Sequence, residues 1–271
     1  MTDRDQAALR SSFDNVPEIY HAVRPGYPPM LFAALFELLP GHPRVLEVGP
    51  GTGQATRDLL AHGAAVHAIE LGPAMARTLC EVLSDPRLTV TVGDFEEVPT
   101  EPGVYDCVFS ATAYHWIAPA AQLDRPAVLL KPDGVLAVVD LIQVDSSIDR
   151  GFFAAIQPIY ARYGEGGAGP PLPRRGDVEP PMLAPLRADP RFRVIGVRHY
   201  DWDQTYTAAE FRQLMLSYSG TQCMEPETRQ GLLDDIERYV EQRYDGRVTR
   251  PLVVTLTTAR RLPAALPNTL A

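Results

Sequence analysis

The chain has 271 residues, 45% hydrophobic and 22% charged, which is enough apolar material for one large core or two modest ones and argues against disorder or a fibrous assembly. Lysine and arginine number 25 against 34 aspartates and glutamates, a formal net charge of −9, which speaks against a general binder of nucleic-acid phosphates and for a small-molecule or protein partner. The 26 prolines, about twice the usual share of roughly 5%, cluster without a period and so mark punctuated loops, not collagen or a solenoid.

Cys80, Cys107 and Cys223 are odd in number and contain no Cys-x-x-Cys pair, so a reducing compartment is expected, with no zinc or redox site. No His, Asp or Glu cluster has metal-ligand spacing. The first twenty residues lack the apolar stretch of a secretion signal, and no run approaches the roughly 20 apolar residues of a membrane helix. A soluble cytoplasmic protein with no membrane partner is therefore expected.

Runs rich in valine and isoleucine at 44–49, 65–70, 88–93, 105–111 and 134–140 predict short strands, almost continuously apolar as in a sheet covered on both faces. Helical spacing at 52–61, 73–83 and 122–130 places helices between them, the second opening on Pro73, which suits a first helical turn. Lys131-Pro132-Asp133-Gly134 reads as a turn into the fifth strand. The run at 164–190, full of glycine and proline, cannot sustain a helix or a central strand and is expected to be a long loop or lid. Two further strands at 191–202 and 251–258, with helices at 208–217 and 225–244 between them, complete a doubly wound, mostly parallel seven-stranded α/β sheet. No internal repeat is visible, and residues 1–271 are expected to form one domain. Within it, 20–140 is the ligand-binding half and 141–190 and 203–249 are lid or acceptor-binding insertions.

The informative stretch is Arg44-Val45-Leu46-Glu47-Val48-Gly49-Pro50-Gly51-Thr52-Gly53-Gln54, a predicted strand that runs through a glycine-rich turn into a helix. Such a turn lets a ligand touch the backbone beside the free N–H groups of the helix start. The dinucleotide fingerprint needs glycine at its first, third and sixth positions; counted from Gly49, the sixth is Gln54, so the match fails. The spacing is instead Glu-x-Gly-x-Gly-x-Gly at Glu47, Gly49, Gly51 and Gly53, and in this the chain resembles the class I S-adenosylmethionine-dependent methyltransferases, with their Rossmann-like fold.

Four further stretches extend the resemblance. Glu70 ends the next strand, where the family has an acid that accepts hydrogen bonds from the ribose hydroxyls. Gly93-Asp94-Phe95 follows the third strand; the resemblance assigns Asp94 to the adenine amino group and Phe95 to the ring, with Met75 a candidate for packing on it. Ser110-Ala111-Thr112-Ala113-Tyr114-His115-Trp116 follows the fourth strand and is similar to small-molecule methyltransferases of the trans-aconitate and quinone-biosynthesis type. Upstream, Tyr20-His21-Ala22-Val23-Arg24-Pro25-Gly26-Tyr27-Pro28 matches a Tyr-x-x-x-Arg-Pro-x-Tyr-Pro signature of the same branch, which implies an N-terminal segment closing over the methionyl end with Arg24 near its carboxylate. The resemblance thus implies S-adenosyl-L-methionine as cofactor, held by Tyr20, Arg24, Glu47, Gly49, Gly51, Gly53, Glu70, Leu71, Met75, Asp94, Phe95 and Ser110. Each of these positions also has a plain structural reading, as a turn, a cap or core filling.

Methyl transfer from a sulfonium needs in-line approach and exclusion of water, and a general base only where the acceptor carries a proton. His115 is the candidate base, with orienting the acceptor or capping a turn as its other readings; His21 and Tyr27 are weaker candidates. Phe152, Phe153, Tyr160, Tyr163, Phe211, Met215 and Tyr218 line an acceptor pocket or simply pack. Arg162, Arg174, Arg175 and Arg212 read an anionic acceptor or remain solvated. The expected activity is methyl transfer to a small organic molecule. The alternatives are a protein that binds the cofactor without transferring its methyl and an NAD(P)-dependent oxidoreductase. A nucleic-acid methyltransferase is disfavoured by the acidic charge and by the lack of an Asn-Pro-Pro-aromatic or Pro-Cys motif after the fourth strand.

Overall fold

A computed structural model of the chain describes residues 9–165 and 171–263. The short helices α1 (Pro17–Val23) and α2 (Pro29–Phe36) precede the first strand. The repeating unit then runs β1 (Arg44–Val48), α3 (Thr56–Ala61), β2 (Ala65–Glu70), α4 (Pro73–Val82), β3 (Leu88–Val92), β4 (Tyr105–Ala111), α5 (Pro119–Leu129) and β5 (Leu130–Gln143). A first insertion carries α6 (Phe152–Ala155), α7 (Gln157–Arg162) and α8 (Leu183–Ala188) and leads into β6 (Phe192–Asp201). A second carries β7 (Gln204–Thr207), α9 (Ala208–Leu216), α10 (Ser219–Gln222), α11 (Pro226–Arg243) and β8 (Arg247–Arg250), and β9 (Leu252–Arg261) closes the fold.

Seven strands form one sheet in the order β3-β2-β1-β4-β5-β9-β6, while β7 and β8 pair as a separate antiparallel ribbon. The first five strands of the sheet are parallel, and β9 inserts antiparallel to both β5 and β6. Strand order reverses between β1 and β4, and it is there, at the carboxyl ends of the strands, that an open α/β sheet leaves a crevice.

Alternate residues of each central strand serve opposite cores, as a two-residue period requires. Val45, Phe109 and Ala137 pack against Leu31, Phe32 and Leu35 of α2, Leu59 of α3 and Leu79 of α4. Leu46, Val108 and Leu136 face the other way, toward Leu129 of α5 and Leu186 of α8. A third core joins Phe152 to Phe211, Leu214, Leu232 and Ile236 beneath the insertions. The second insertion is started by a capping box: the Thr207 hydroxyl accepts the Glu210 N–H and the Glu210 carboxylate accepts the Thr207 N–H.

Several local expectations are corrected. The helix after the glycine turn begins at Thr56, not at residue 52, because Gly51 (φ 59°) and Gly53 (φ 95°) hold left-handed conformations that a helix cannot contain. The Lys131–Gly134 turn lies inside a longer β5. Leu130 pairs with Tyr105 and Val135 with Cys107, so the four residues between bulge out, with Asp133 at φ 63°. The stretch at 164–190 is not all loop, since 183–188 forms α8 and buries Leu183 and Leu186; residues 166–170 of that stretch lie outside the described residues. Helices α1, α2, α6 and α7 and the β7–β8 ribbon carried no sequence signal strong enough to be expected. Among the described residues no helix is long and apolar enough to cross a membrane.

Pro126 sits inside α5 and has no N–H to donate, which frees the carbonyl of Gln122 one turn earlier. The buried Tyr114 hydroxyl donates to that carbonyl, tying the 3-10 turn Tyr114–Trp116 to α5. Tyr114→Phe leaves the carbonyl without this partner and is expected to cost about 1–2 kcal/mol. Urea denaturation checks this: the midpoint falls while the slope stays unchanged. An unchanged midpoint would mean the bond contributes nothing.

Candidate functional site

The crevice at the β1–β4 reversal is built around the loop that leaves β1. Gly49 has φ 66°, and a Cβ there would stand 2.5 Å from the Cβ of Ala113, so the loop runs hard against the turn after β4 and only glycine fits. The loop is held by Glu70 at the end of β2: its Oε2 accepts the Gly51 N–H (2.9 Å) and its Oε1 the Gly72 N–H (3.0 Å). Burial pushes the Glu70 carboxyl above its ordinary pKa, and the Gly72 and Gly51 N–H groups pull it back.

An N-terminal strap covers the opening. Asp14 Oδ1 accepts the N–H groups of Ala74 (2.6 Å) and Met75 (2.9 Å), which satisfies free donors in the first turn of α4. Arg10 pairs with Asp94 (3.1 Å) and Glu96 (3.5 Å). Phe13 packs edge-on to both Tyr20 and Trp116, with ring centroids 6.0 and 5.9 Å apart. Arg24 lies between the rings of Tyr20 (4.8 Å) and Tyr218 (4.6 Å) and donates to the hydroxyl (2.9 Å) and carbonyl (2.8 Å) of Ser217, joining the strap to the second insertion.

Together these elements enclose a cavity of about 280 Å³. Of the residues singled out in the sequence, Tyr20 and Arg24 line it from the strap; Gly49, Gly51 and Glu70 from the strand ends; and Leu71, Met75, Phe95 and His115 from the segments beyond. Four others stand elsewhere. Glu47 lies beneath the loop and lines a small adjoining cavity of about 40 Å³. Gly53 packs the loop against α4, where a Cβ would come within 2.7 Å of Leu79 and 2.9 Å of Leu83. Asp94 is engaged by Arg10 and by the Glu96 N–H. Ser110 is fully buried and donates to the Val48 carbonyl, bracing β4 against β1. His21 contacts the Thr52 hydroxyl (3.1 Å), and Tyr27 shares a hydrogen bond with Thr112 (3.0 Å), whose φ of 56° is unusual for a β-branched residue.

Phe13, Asp14, Thr112 and Ser219 also line the main cavity and were not singled out in the sequence. Asp14 stands in the mostly polar run Ser11-Ser12-Phe13-Asp14-Asn15 and carried no signal of its own. Among the aromatic acceptor candidates, Tyr218 alone lines the main cavity; Phe152, Phe211 and Met215 are buried in the third core, with Phe153, Tyr160 and Tyr163 packed against it. Arg162 pairs with Asp235, Arg175 with Asp201 and Asp203, and Arg212 with Asp234 and Glu237, all away from the cavity, while Arg174 meets Asp145 through a backbone β-bridge. No group of three or more His, Cys, Asp or Glu side chains among the described residues could hold a metal ion.

Two titratable groups stand out. His115 lies at the cavity wall with its ring against Trp116 (4.9 Å), and desolvation lowers its pKa below the ordinary value, keeping the imidazole neutral at neutral pH. Glu47 is 1% exposed, its Oε2 has no hydrogen-bond partner among the described residues, and burial pushes its carboxyl up to about 8.

Residues 46–138 match the family model described as a methyltransferase domain. This part of the chain is similar to a methyltransferase domain. An uncharacterised methyltransferase of Mycobacterium tuberculosis is 36% identical over 129 residues, 47% of this chain and 51% of that protein. A malonyl-[acyl-carrier protein] O-methyltransferase of Herminiimonas arsenicoxydans is 31% identical over 140 residues, 50% of this chain and 52% of that protein. The chain therefore spans about half the length of these curated relatives. A solved structure from Anaeromyxobacter dehalogenans, provisionally described as a type II methyltransferase, superposes with a TM-score of 0.58 at 24% identity, over 89% of this chain and 99% of that one, and shows the same fold.

The Glu47 carboxyl holds a proton in the folded chain up to about pH 8, whereas the unfolded chain releases it near 4.5. Its contribution to stability is therefore full below 4.5 and is lost as pH rises to about 8. Glu47→Gln keeps the shape without the ionisation. Melting curves from pH 4 to 9 should show the wild type losing ground to the variant steadily across that window, and parallel curves would contradict the assignment.

Proposed function

We propose that the chain transfers a methyl group from S-adenosyl-L-methionine to a small organic acceptor by direct in-line displacement. The observation that carries this reading is the Glu70 carboxylate, fixed at the cavity wall by the N–H groups of Gly51 and Gly72 with lone pairs left over to accept ribose hydroxyls. The other walls fit the same cofactor. Met75, Phe95 and Leu71 offer an apolar slot for the adenine, and Gly51 faces Tyr20 across a gap that a Cβ would narrow to 3.3 Å. At the other end Arg24 suits a carboxylate, and the unpartnered Glu47 oxygen suits an ammonium group.

Bound S-adenosylmethionine supplies an electrophilic methyl on a sulfonium. The chain's own part is to fix the angle of approach and to exclude water, which the strap does by laying Phe13 and Tyr20 over the cavity, with Phe13 against Trp116 of the turn after β4. His115, neutral and at the cavity wall, takes the proton of a hydroxyl or amine acceptor or orients it. The Tyr-x-x-x-Arg-Pro-x-Tyr-Pro and His-Trp segments support an acceptor of the small-molecule branch, and the net charge of −9 supports a partner other than nucleic acid. The three free cysteines fit a reducing cytoplasm. A dinucleotide fits less well: Glu47 and Glu70 flank the loop where a pyrophosphate would lie, and Glu70 already takes the Gly51 N–H.

Isothermal titration with S-adenosylmethionine, S-adenosylhomocysteine and NADH tests the cofactor. The first two are expected to bind and to bind at least tenfold more weakly to Glu70→Ala, about the effect of losing charge-assisted hydrogen bonds. Binding of NADH alone would overturn the reading. Once an acceptor is found, His115→Ala is expected to lower turnover and flatten its pH profile, and turnover unchanged at every pH would remove His115 from the chemistry.

A further inference from the structure

Among the described arginines that have no ion pair, two flank the same aromatic ring. Arginines 10, 44, 87, 150, 162, 175, 191, 198, 212 and 238 each have a carboxylate within 4.0 Å. Arg24 and Arg250, both half-buried, have none among the described residues. They flank the same ring, with their guanidinium carbons 4.6 and 5.8 Å from the centroid of Tyr218. Arg250 is fixed by two neutral partners, donating from Nη1 to the Tyr218 hydroxyl (2.7 Å) and from Nη2 to Gln143 Oε1 (3.1 Å). These bonds aim the guanidinium without neutralising it. Two like charges held beside one ring repel each other, and an anion between them reverses the sign of that interaction.

The space they share is the cavity of about 40 Å³ that opens beside Gly49 and Thr112. Its wall also carries Glu47, whose unpartnered oxygen forms no ion pair with either arginine. A water needs roughly 10–15 Å³ of such space, so this is room for a small polar group such as a carboxylate and not for a whole acceptor. Two guanidiniums and a carboxyl lining one such space complement a carboxylate with an ammonium beside it.

We infer that Arg250 acts with Arg24 as a two-arginine subsite for a carboxylate, the α-carboxylate of the cofactor's methionyl end. The inference rests on the methyltransferase reading and adds a residue that no motif of that fold's first half contains. Arg250 ends β8 in the second insertion, so this insertion reaches back to read the cofactor as well as covering it. An arginine's planar fork matches a carboxylate in a way that a lysine cannot reproduce.

The test titrates wild type, Arg250→Gln and Arg250→Lys with S-adenosylmethionine and with decarboxylated S-adenosylmethionine, which keeps the ammonium and sulfonium and lacks only the carboxylate. Arg250→Gln is expected to weaken the first about ten- to a hundredfold and to leave the second unchanged, with Arg250→Lys in between. Equal weakening of both ligands would make Arg250 a structural residue and overturn the inference. If neither ligand is weakened, succinate titrated into the S-adenosylhomocysteine complex decides. Binding lost in Arg250→Gln keeps a carboxylate subsite and assigns it to the acceptor, and binding absent or unaltered rejects the subsite. Melting curves confirm that each variant folds; if Arg250→Gln does not, the lysine variant gives the same comparison. Failure of the wild type to bind S-adenosylmethionine would overturn the methyltransferase reading, and succinate binding to wild type and variant would then decide the subsite separately.

Discussion

The site depends on one carboxylate, Glu70, bonded to two backbone N–H groups on different segments. Gly51 belongs to the loop leaving β1 and Gly72 to the turn entering α4, so a single side chain sets the distance between two adjacent βα connections. Burying a carboxylate is costly, and the two backbone donors offset that cost only while the glycine loop keeps its shape. Loop conformation and carboxylate ionisation thus support each other. Backbone bonds assist the loop, from the Gly49 N–H to the Ile69 carbonyl and from the Gly53 N–H to the Pro50 carbonyl, both 3.0 Å.

From that point the architecture extends outward in shells. Ser110 braces β4 against β1, Gly49 lets the loop close on Ala113, and Tyr114 fastens the turn after β4 to α5 through the carbonyl that Pro126 leaves free. The strap then uses what the first shell provides. Asp14 satisfies the first N–H groups of α4, and a carboxylate at a helix start gains from the helix dipole as well. Arg24 carries the connection across to Ser217 and Tyr218, so the N-terminal strap and the second insertion meet over the cavity instead of each covering it alone.

Much of this was legible in the sequence because the signals are local. Strand-then-glycine at 44–53, an acid ending the second strand and apolar runs of fixed length each depend on a few adjacent residues, and the sheet, the loop and Glu70 lie where those signals put them. The parts that were not legible depend on long-range packing. Ser110 reads as a binding hydroxyl until the Val48 carbonyl is seen 62 residues away, and Gly53 reads as part of a cradle until Leu79 and Leu83 are found against it. The prolines at 164–190 hide α8, whose formation is driven by burial of Leu183 and Leu186 and not by propensity. Arg250 gave no signal at all, because a lone arginine beside a proline acquires meaning only through Tyr218 and Arg24. The arginines that did attract attention, such as Arg162 and Arg212, proved to be matched by acids on α11.

The central claim is that the crevice at the β1–β4 reversal holds S-adenosylmethionine with its ribose on Glu70. A crystal structure of the protein grown with S-adenosylhomocysteine tests it most directly. The account predicts density in the main cavity with both ribose hydroxyls within hydrogen-bond distance of the Glu70 oxygens, the adenine between Met75 and Phe95, and the methionyl end toward Arg24. A ligand bound elsewhere, or bound in the crevice with Glu70 turned away from the ribose, would contradict it.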